Sequence, residues 1–299
     1  MKHLPFILLS GILSFASLAG PLDLGEWGAS DDLRLYLPDA RQERRTTSLN
    51  WADLPTEEKV EVVVSKRPAP RKFRIVVDAG HGGKDLGAVG RYGVLEKHLC
   101  LGISRMVRDQ LRREFAARKI PVEIIMSRDR DVYLTLRDRV HLANNVGADL
   151  FLSIHGNSSE HASVKGFEVY FLASEASDGR ARALARVENS EIASTPIKPD
   201  VLSILSDVKA NQHISESSRF AEVVFRAMSR SLHANGRGVR QAPFTVLDGT
   251  AMPALLIEVG YLTHWQEALW LGRGPYLKRL SNAISSGVVE YALTIKDLG

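Results

Sequence analysis

The sequence predicts an α/β fold, a largely buried sheet with helices on its faces, and three observations carry that expectation. The 299 residues are 44% hydrophobic and 25% charged, which is enough apolar material for a sizeable core. A β-branched run, Ile75-Val76-Val77, stops at a glycine-dense loop, as a strand internal to a sheet does when it delivers a loop to the sheet's carboxyl edge. Further apolar runs then alternate with amphipathic helical stretches, the rhythm of strands covered by helices.

Residues 1–19 place Lys2 and His3 before an apolar run at 4–13 broken by Pro5 and Gly11, then Ser17-Leu18-Ala19 before Gly20. This is the pattern of a secretory signal peptide, too short and interrupted to favour a membrane span; an uncleaved anchor is the alternative. The expectation is an exported protein of the periplasm or cell envelope with no membrane span after signal cleavage. Residues 20–71 combine a charge run at 41–45, Trp27, Trp51 and the Pro-rich end Lys66-Arg-Pro-Ala-Pro-Arg71. They read as a partly ordered leader and linker, with 60–64 a candidate edge strand. The net charge of +4 permits an anionic envelope polymer as partner, and no aromatic-and-basic motif points to nucleic acid. Cys100 is the only cysteine, so an intramolecular disulfide is excluded and the thiol reads as a small packed hydrophobe.

A catalytic domain is expected over 72–299. After its first strand, residues 97–117 set Leu99, Ile103, Met106 or Val107, Leu111 and Phe115 on one stripe with arginines opposite, a helix packed on the sheet. A strand at 122–126 follows. Thr135-Leu-Arg-Asp138 opens the next helix as a capping box, with Leu136, Val140 and Ala143 turned inward. Strands come next at 149–155 and 166–172. Residues 174–211 break the rhythm with a helix at 178–193, a stop at Pro196 and Pro199, and a shorter helix through Leu202, Leu205 and Val208. A helix at 215–232, strands around 244–247 and 254–259, and a last helix from Pro275 complete the domain.

Polar residues interrupt these apolar runs at particular places. His81 lies on the loop after the first strand, Glu96 follows fifteen positions later where a helix begins, and His155 ends another strand. Two histidines and a glutamate at one sheet edge would make a three-ligand zinc site with an open fourth position, the layout of a hydrolase. Singly, each histidine also reads as a packed or capping residue. A phosphate cradle fits poorly, because Lys84 is followed by Asp85 rather than Ser or Thr, and the dinucleotide glycine pattern is missing. Glu258 sits inside the apolar strand Leu255-Leu-Ile-Glu-Val, either as a general base beside the metal or as half of a buried salt bridge with an arginine. Glu188 shares a helix face with Leu184 and Ile192 and needs a partner, either a cation at the stripe's edge or the metal itself in a resting state.

Taken together, His81 in Asp-Ala-Gly-His-Gly-Gly-x-Asp-x-Gly, Glu96 in Glu-Lys, His155 in Ser-Ile-His-x-Asn and Glu258 in Pro-Ala-Leu-Leu-Ile-Glu-Val-Gly-Tyr-Leu resemble the zinc-dependent N-acetylmuramoyl-L-alanine amidases of type 3. Ser127-Arg128-Asp129, Leu136-Arg137 and Ala143-Asn144 are similar to that family's intervening motifs, and the order agrees over about residues 72–299. The resemblance implies a twisted, mixed, mostly parallel sheet flanked by helices. It implies Zn2+ held by His81, Glu96 and His155, with Glu258 as the catalytic carboxylate. The reaction implied is hydrolysis of the amide joining the muramic acid lactyl group to L-alanine in peptidoglycan.

Residues 174–211, with Leu184-Ala-Arg-Val-Glu188-Asn189, resemble the regulatory helical insertion of the cell-separation amidases. That implies autoinhibition, relieved when an activator protein with a degenerate metallopeptidase fold displaces the insertion. Glu188 is the first candidate for the occluding residue, and Glu191 the second if the helix is rotated. The chain departs from the family at His155-Gly-Asn, where Ala is usual in place of Gly. It departs also at Thr263-His264, where His264 reads as an added polar group near the site or as a surface residue, and in having residues 20–71 where many relatives carry a targeting domain. The rival functions are a zinc carboxypeptidase or endopeptidase acting within the stem peptide, and a non-catalytic peptidoglycan-binding protein.

Overall fold

The computed structural model describes residues 72–190, 204–232 and 236–295, and no side chains of 204–212. The signal, the leader, the candidate strand at 60–64 and Glu191 lie outside the described residues.

Six strands form one sheet: β1 (Phe73–Ala79), β2 (Val122–Met126), β3 (Leu150–Asn157), β4 (Phe167–Leu172), β5 (Gly236–Ala242) and β6 (Ala254–Tyr261). Their spatial order is β2-β1-β3-β6-β4-β5. β2, β1, β3 and β6 run parallel; β4 is antiparallel to β6 and parallel to β5. The sheet is therefore mixed and mostly parallel. Because β4 and β5 are reversed, their amino-terminal ends meet the carboxyl ends of β1, β3 and β6 along one edge.

Helices cover both faces. α1 (Glu96–Ala117), α4 (Ile204–Ser231) and α6 (Gly274–Ile295) lie on the face to which Ile75, Val77, Leu152, Ile154 and Ile257 point. The α1 stripe of Leu99, Ile103, Val107, Leu111 and Phe115 is buried there. α4 and α6 cross closely at Gly287, where an added Cβ would stand 2.7 Å from the Val224 Cα. α2 (Leu136–Asn145) and α3 (Gly179–Glu188) pack on the other face against Val76, Phe151, Tyr170 and Leu256, while α5 (Trp265–Leu271) sits after β6. The capping box of α2 forms as its sequence indicates: Thr135 Oγ1 accepts from the Asp138 amide, and Asp138 accepts from the Thr135 amide. No helix among the described residues is long and apolar enough to cross a membrane.

Three element boundaries differ from the sequence reading. The strand expected at 244–247 is a turn, and the edge strand is β5, just before it. Phe244, Val246 and Leu247 are apolar because they plug the second core from a loop, whereas β5 carries the polar residues of a sheet edge. From Ile204 on, the separate helices expected through 202–208 and at 215–232 are one helix, α4, since no Pro or Gly falls between Ile204 and Ser231; Leu202 lies outside the described residues. The helix expected over 178–193 is α3, capped by the Asp178 side chain and ended at Glu188.

Candidate metal centre

The loop after β1 carries His81 in a left-handed backbone conformation, φ 58°, rare for a residue with a side chain. Two buried arginines hold it there. Arg139 donates to the carbonyls of Ala79 and His81, and Arg128 to those of Ala79, Gly80 and Lys97. Glu96 is the first residue of α1, and its carboxylate accepts from the Ala88 amide through Oε2 and the Gly156 amide through Oε1. His155 comes from the carboxyl half of β3. Gly80 keeps the two histidine-bearing segments close, since a Cβ there would lie 2.5 Å from His155 Cε1.

Four side-chain atoms converge. His81 Nε2 is 2.9 Å from Glu96 Oε1 and 3.6 Å from Glu188 Oε2; His155 Nδ1 is 3.3 Å and 3.0 Å from the same two oxygens. All four ligand atoms lie within 4.8 Å of one another. A tetrahedron of N and O ligands at zinc bond lengths has edges of about 3.3–3.4 Å, which these spacings straddle. Neither His81 Nε2 nor His155 Nδ1 has a geometrically sound hydrogen-bond partner. The donor set therefore fits a borderline divalent cation of the zinc type.

The outward nitrogens are tied down, as metal-binding imidazoles require. His81 Nδ1 lies 2.7 Å from Asp85 Oδ2. His155 Nε2 lies 3.1 Å from Ser153 Oγ, and Ser153 donates its own proton to Asp78 at 2.6 Å, which leaves its lone pairs free to accept from the imidazole. Asp78 in turn is paired with Arg139 at 2.7 Å, both fully buried. A relay Arg139–Asp78–Ser153–His155 thus fixes which His155 nitrogen faces the cluster. Burial opposes protonation of His81, but the Glu96 and Asp85 carboxylates prevail and raise its pKa to about 10. His155 is likewise raised, against burial, by Glu188 and Glu96. The same carboxylates that favour the protonated imidazoles would favour a cation in their place.

Glu258 is opposite His155 in the β3–β6 register and is fully buried. Both of its carboxyl oxygens lack a hydrogen-bond partner among the described residues. Among the described residues the arginine salt bridge left open by the sequence does not form: Arg237 and Arg240 pair instead with Glu168, the partner of Glu258 in the β4–β6 register. Burial first, and then the Glu188 charge, push the Glu258 carboxyl well above its ordinary range. Glu188, the last residue of α3, finds its partners in the two imidazoles. His264 is not a surface residue: it is buried and caps α5, its side chain accepting from the Glu267 amide.

A cleft of ≈ 770 Å³ opens on the cluster, bounded by the β3–β4 loop on one side and by Leu184, Val187 and Glu188 of α3 on the other. Sequence reasoning missed Asp78, Ser153, Asp85 and Arg139. One signal was available: Ser153 and His155 are two apart on a strand and so share a face.

The family of N-acetylmuramoyl-L-alanine amidases, type 3, matches residues 75–290. The chain is 32% identical over 223 residues to N-acetylmuramoyl-L-alanine amidase AmiA of Escherichia coli K12, covering 73% of this chain and 75% of that protein. Among solved structures, the catalytic domain of the amidase CwlV from Paenibacillus polymyxa superposes with a TM-score of 0.56 at 30% identity, covering 75% of this chain and 99% of that one. The amidase AmiC2 of Nostoc punctiforme gives 0.57 at 29% identity, covering 75% and 98%. With the family match spanning well over half of the sequence and the same sheet carrying the histidine–glutamate cluster at its carboxyl edge, the chain belongs to the N-acetylmuramoyl-L-alanine amidase family.

Proposed function

We propose that this peptidoglycan hydrolase is a zinc enzyme that cleaves the amide between the muramic acid lactyl group and L-alanine, exported to the cell envelope and held latent by α3. The observation that carries the reading is the convergence of His81 Nε2, Glu96 Oε1 and His155 Nδ1 on one point whose fourth corner is a carboxylate of the protein's own, Glu188 Oε2. A bound zinc ion supplies Lewis acidity towards the scissile carbonyl and the attacking water. His81, Glu96 and His155 would hold it, and their outer partners Asp85, the Gly156 amide and Ser153 fix the ligand atoms in place. Glu258 takes the proton of the attacking water and returns it to the leaving amine. Withdrawal of Glu188 removes one cause of the raised Glu258 pKa and so favours the ionised form that this role needs.

Latency follows from the position of Glu188 at the mouth of the cleft. The helix that carries it is lightly fastened: among its side chains only Ala181 and Ala185 are buried, and Asn189 beyond its end bonds Pro243 O and the Thr245 amide. A partner protein able to bind α3 could displace it, and an activator with a degenerate metallopeptidase fold is the candidate from resemblance. The test is to incubate the zinc-loaded mature protein and its Glu188→Ala and Glu258→Gln variants with purified sacculi, with and without a chelator. Chelator-sensitive release of stem peptides beginning at L-alanine, faster for Glu188→Ala and absent for Glu258→Gln, is expected. Cleavage inside the peptide, or undiminished cleavage by Glu258→Gln, would sink the assignment.

A further inference from the structure

Beside the catalytic cleft, and sharing Arg180 with it, lies a second hollow of ≈ 440 Å³ lined by Ser163, Lys165, Arg180, Gly236, Arg237 and Arg240. Four cations meet there. Three acidic groups answer them: Glu168, which accepts from Arg237 at 3.1 Å and is ion-paired with Arg240 at 3.2 Å; Asp178, which is paired with Arg240 and stands 4.0 Å from Arg180; and the buried Glu267 carboxyl, which interacts electrostatically with Lys165 and Arg237. Four positive charges against three negative ones leave the hollow with an excess of one. The excess sits on its outer members, because Arg180 is solvent-exposed and Lys165 has no ion pair among the described residues. An excess of cations in a concave site selects an anion.

The fold places this hollow on the same edge as the metal cluster. Lys165 precedes β4 and Arg237 opens β5, and the amino-terminal ends of these reversed strands lie beside the carboxyl ends of β3 and β6. Three strand spacings, about 14 Å, separate β3 from β5, a distance that roughly four extended peptide residues cover. We propose that Lys165, Arg237 and Arg240, which do not belong to α3 and stay in place when it is displaced, form a subsite for the carboxylates of an acidic stem peptide, holding residues beyond L-alanine while the lactyl amide lies at the cluster. This rests on the amidase reading for the origin of the peptide, but the binding itself does not require cleavage.

The test is calorimetric titration of the zinc-loaded chain with the free tripeptide L-alanyl-γ-D-glutamyl-diaminopimelate and with the same peptide amidated at its carboxylates. Wild type should bind the acidic peptide, and Lys165→Glu, a change at an exposed side chain, should weaken it roughly tenfold or more, the scale of a lost charged hydrogen bond. Lys165→Arg should restore it, and the amidated peptide should bind both proteins equally weakly. Absence of binding by wild type, equal affinity of Lys165→Glu, or tight binding of the amidated form overturns the proposal. Displacement of the peptide by an equal concentration of inorganic phosphate also overturns it, in favour of an unspecific anion site. Intact peptide binding with sacculi left uncleaved by the Glu188→Ala variant would fail the catalytic reading alone, whereas cleavage with charge-blind binding would fail the subsite alone.

Discussion

Gly80→Ala is the sharpest probe of the metal centre, because it changes no ligand and no charge. The new Cβ would stand 2.5, 2.6 and 2.8 Å from Cε1, Nε2 and Nδ1 of His155. Ordinary contact is about 3.5 Å, so the ring must retreat by about 1 Å. Ligand positions tolerate only about 0.2 Å, and Ser153 holds the opposite nitrogen. A loss of metal affinity of roughly 10- to 100-fold follows, as when an outer-shell partner is removed, with a fall in turnover of about 100-fold for a misplacement near 1 Å. Competition with a chromophoric chelator measures the first, and peptide release from sacculi the second. Gly102→Ala is the control. Its Cβ meets nothing within 4 Å on α1, so it should raise stability by up to about 1 kcal/mol and leave the metal untouched. If Gly80→Ala binds zinc as the parent does, the crowding argument is wrong.

Asp78→Asn removes the carboxylate that faces buried Arg139 and orients Ser153, and should cost about 3–5 kcal/mol at neutral pH by chemical denaturation. Burial raises the Asp78 pKa, but Arg139 and the serine hydroxyls prevail and hold it below 3.8 in the folded protein. The unfolded chain then takes up the proton first, so this stability is present above about pH 4 and is lost as pH falls through the folded value; a variant with an unchanged acid limb would contradict this. Metal uptake should release protons and weaken as pH falls, since His81 is raised to about 10 before the cation displaces its proton. Calorimetry in buffers of different ionisation enthalpy counts those protons, and a count of zero would show that the imidazoles are already neutral and contradict the raised pKa of His81.

The site was legible to the extent that it breaks a pattern. A histidine after a β-branched run, a glutamate opening a helix and a glutamate inside an apolar strand each stand out against their neighbours, because burying such groups alone is costly. Asp85 and Arg139 lie among polar or mixed neighbours, and nothing local sets them apart; Ser153 interrupts an apolar run, and only its place two residues before His155 marks it. The turn at Phe244–Leu247 was misread for the converse reason: burial makes a loop as apolar as a strand, and the chain's period over four residues does not separate the two.

By itself, the sequence determined the class of fold, the capping box of α2, the stripe of α1 and the identities of the groups at the sheet edge, since each follows from local periodicity or from a polar group in an apolar run. Only the tertiary structure decided which atoms meet. The reversal of β4 and β5 brings Glu168 beside Glu258 and gathers four cations from three segments. The docking of α3 turns Glu188 from an oddity of one helix into the fourth corner of the cluster, and the relay from Arg139 through Asp78 and Ser153 selects the His155 nitrogen that faces it. The pairs Glu188–His155, Asp78–Arg139 and Asp78–Ser153 join residues 33, 61 and 75 positions apart, and strand register and helix docking set such distances, which local pattern does not encode.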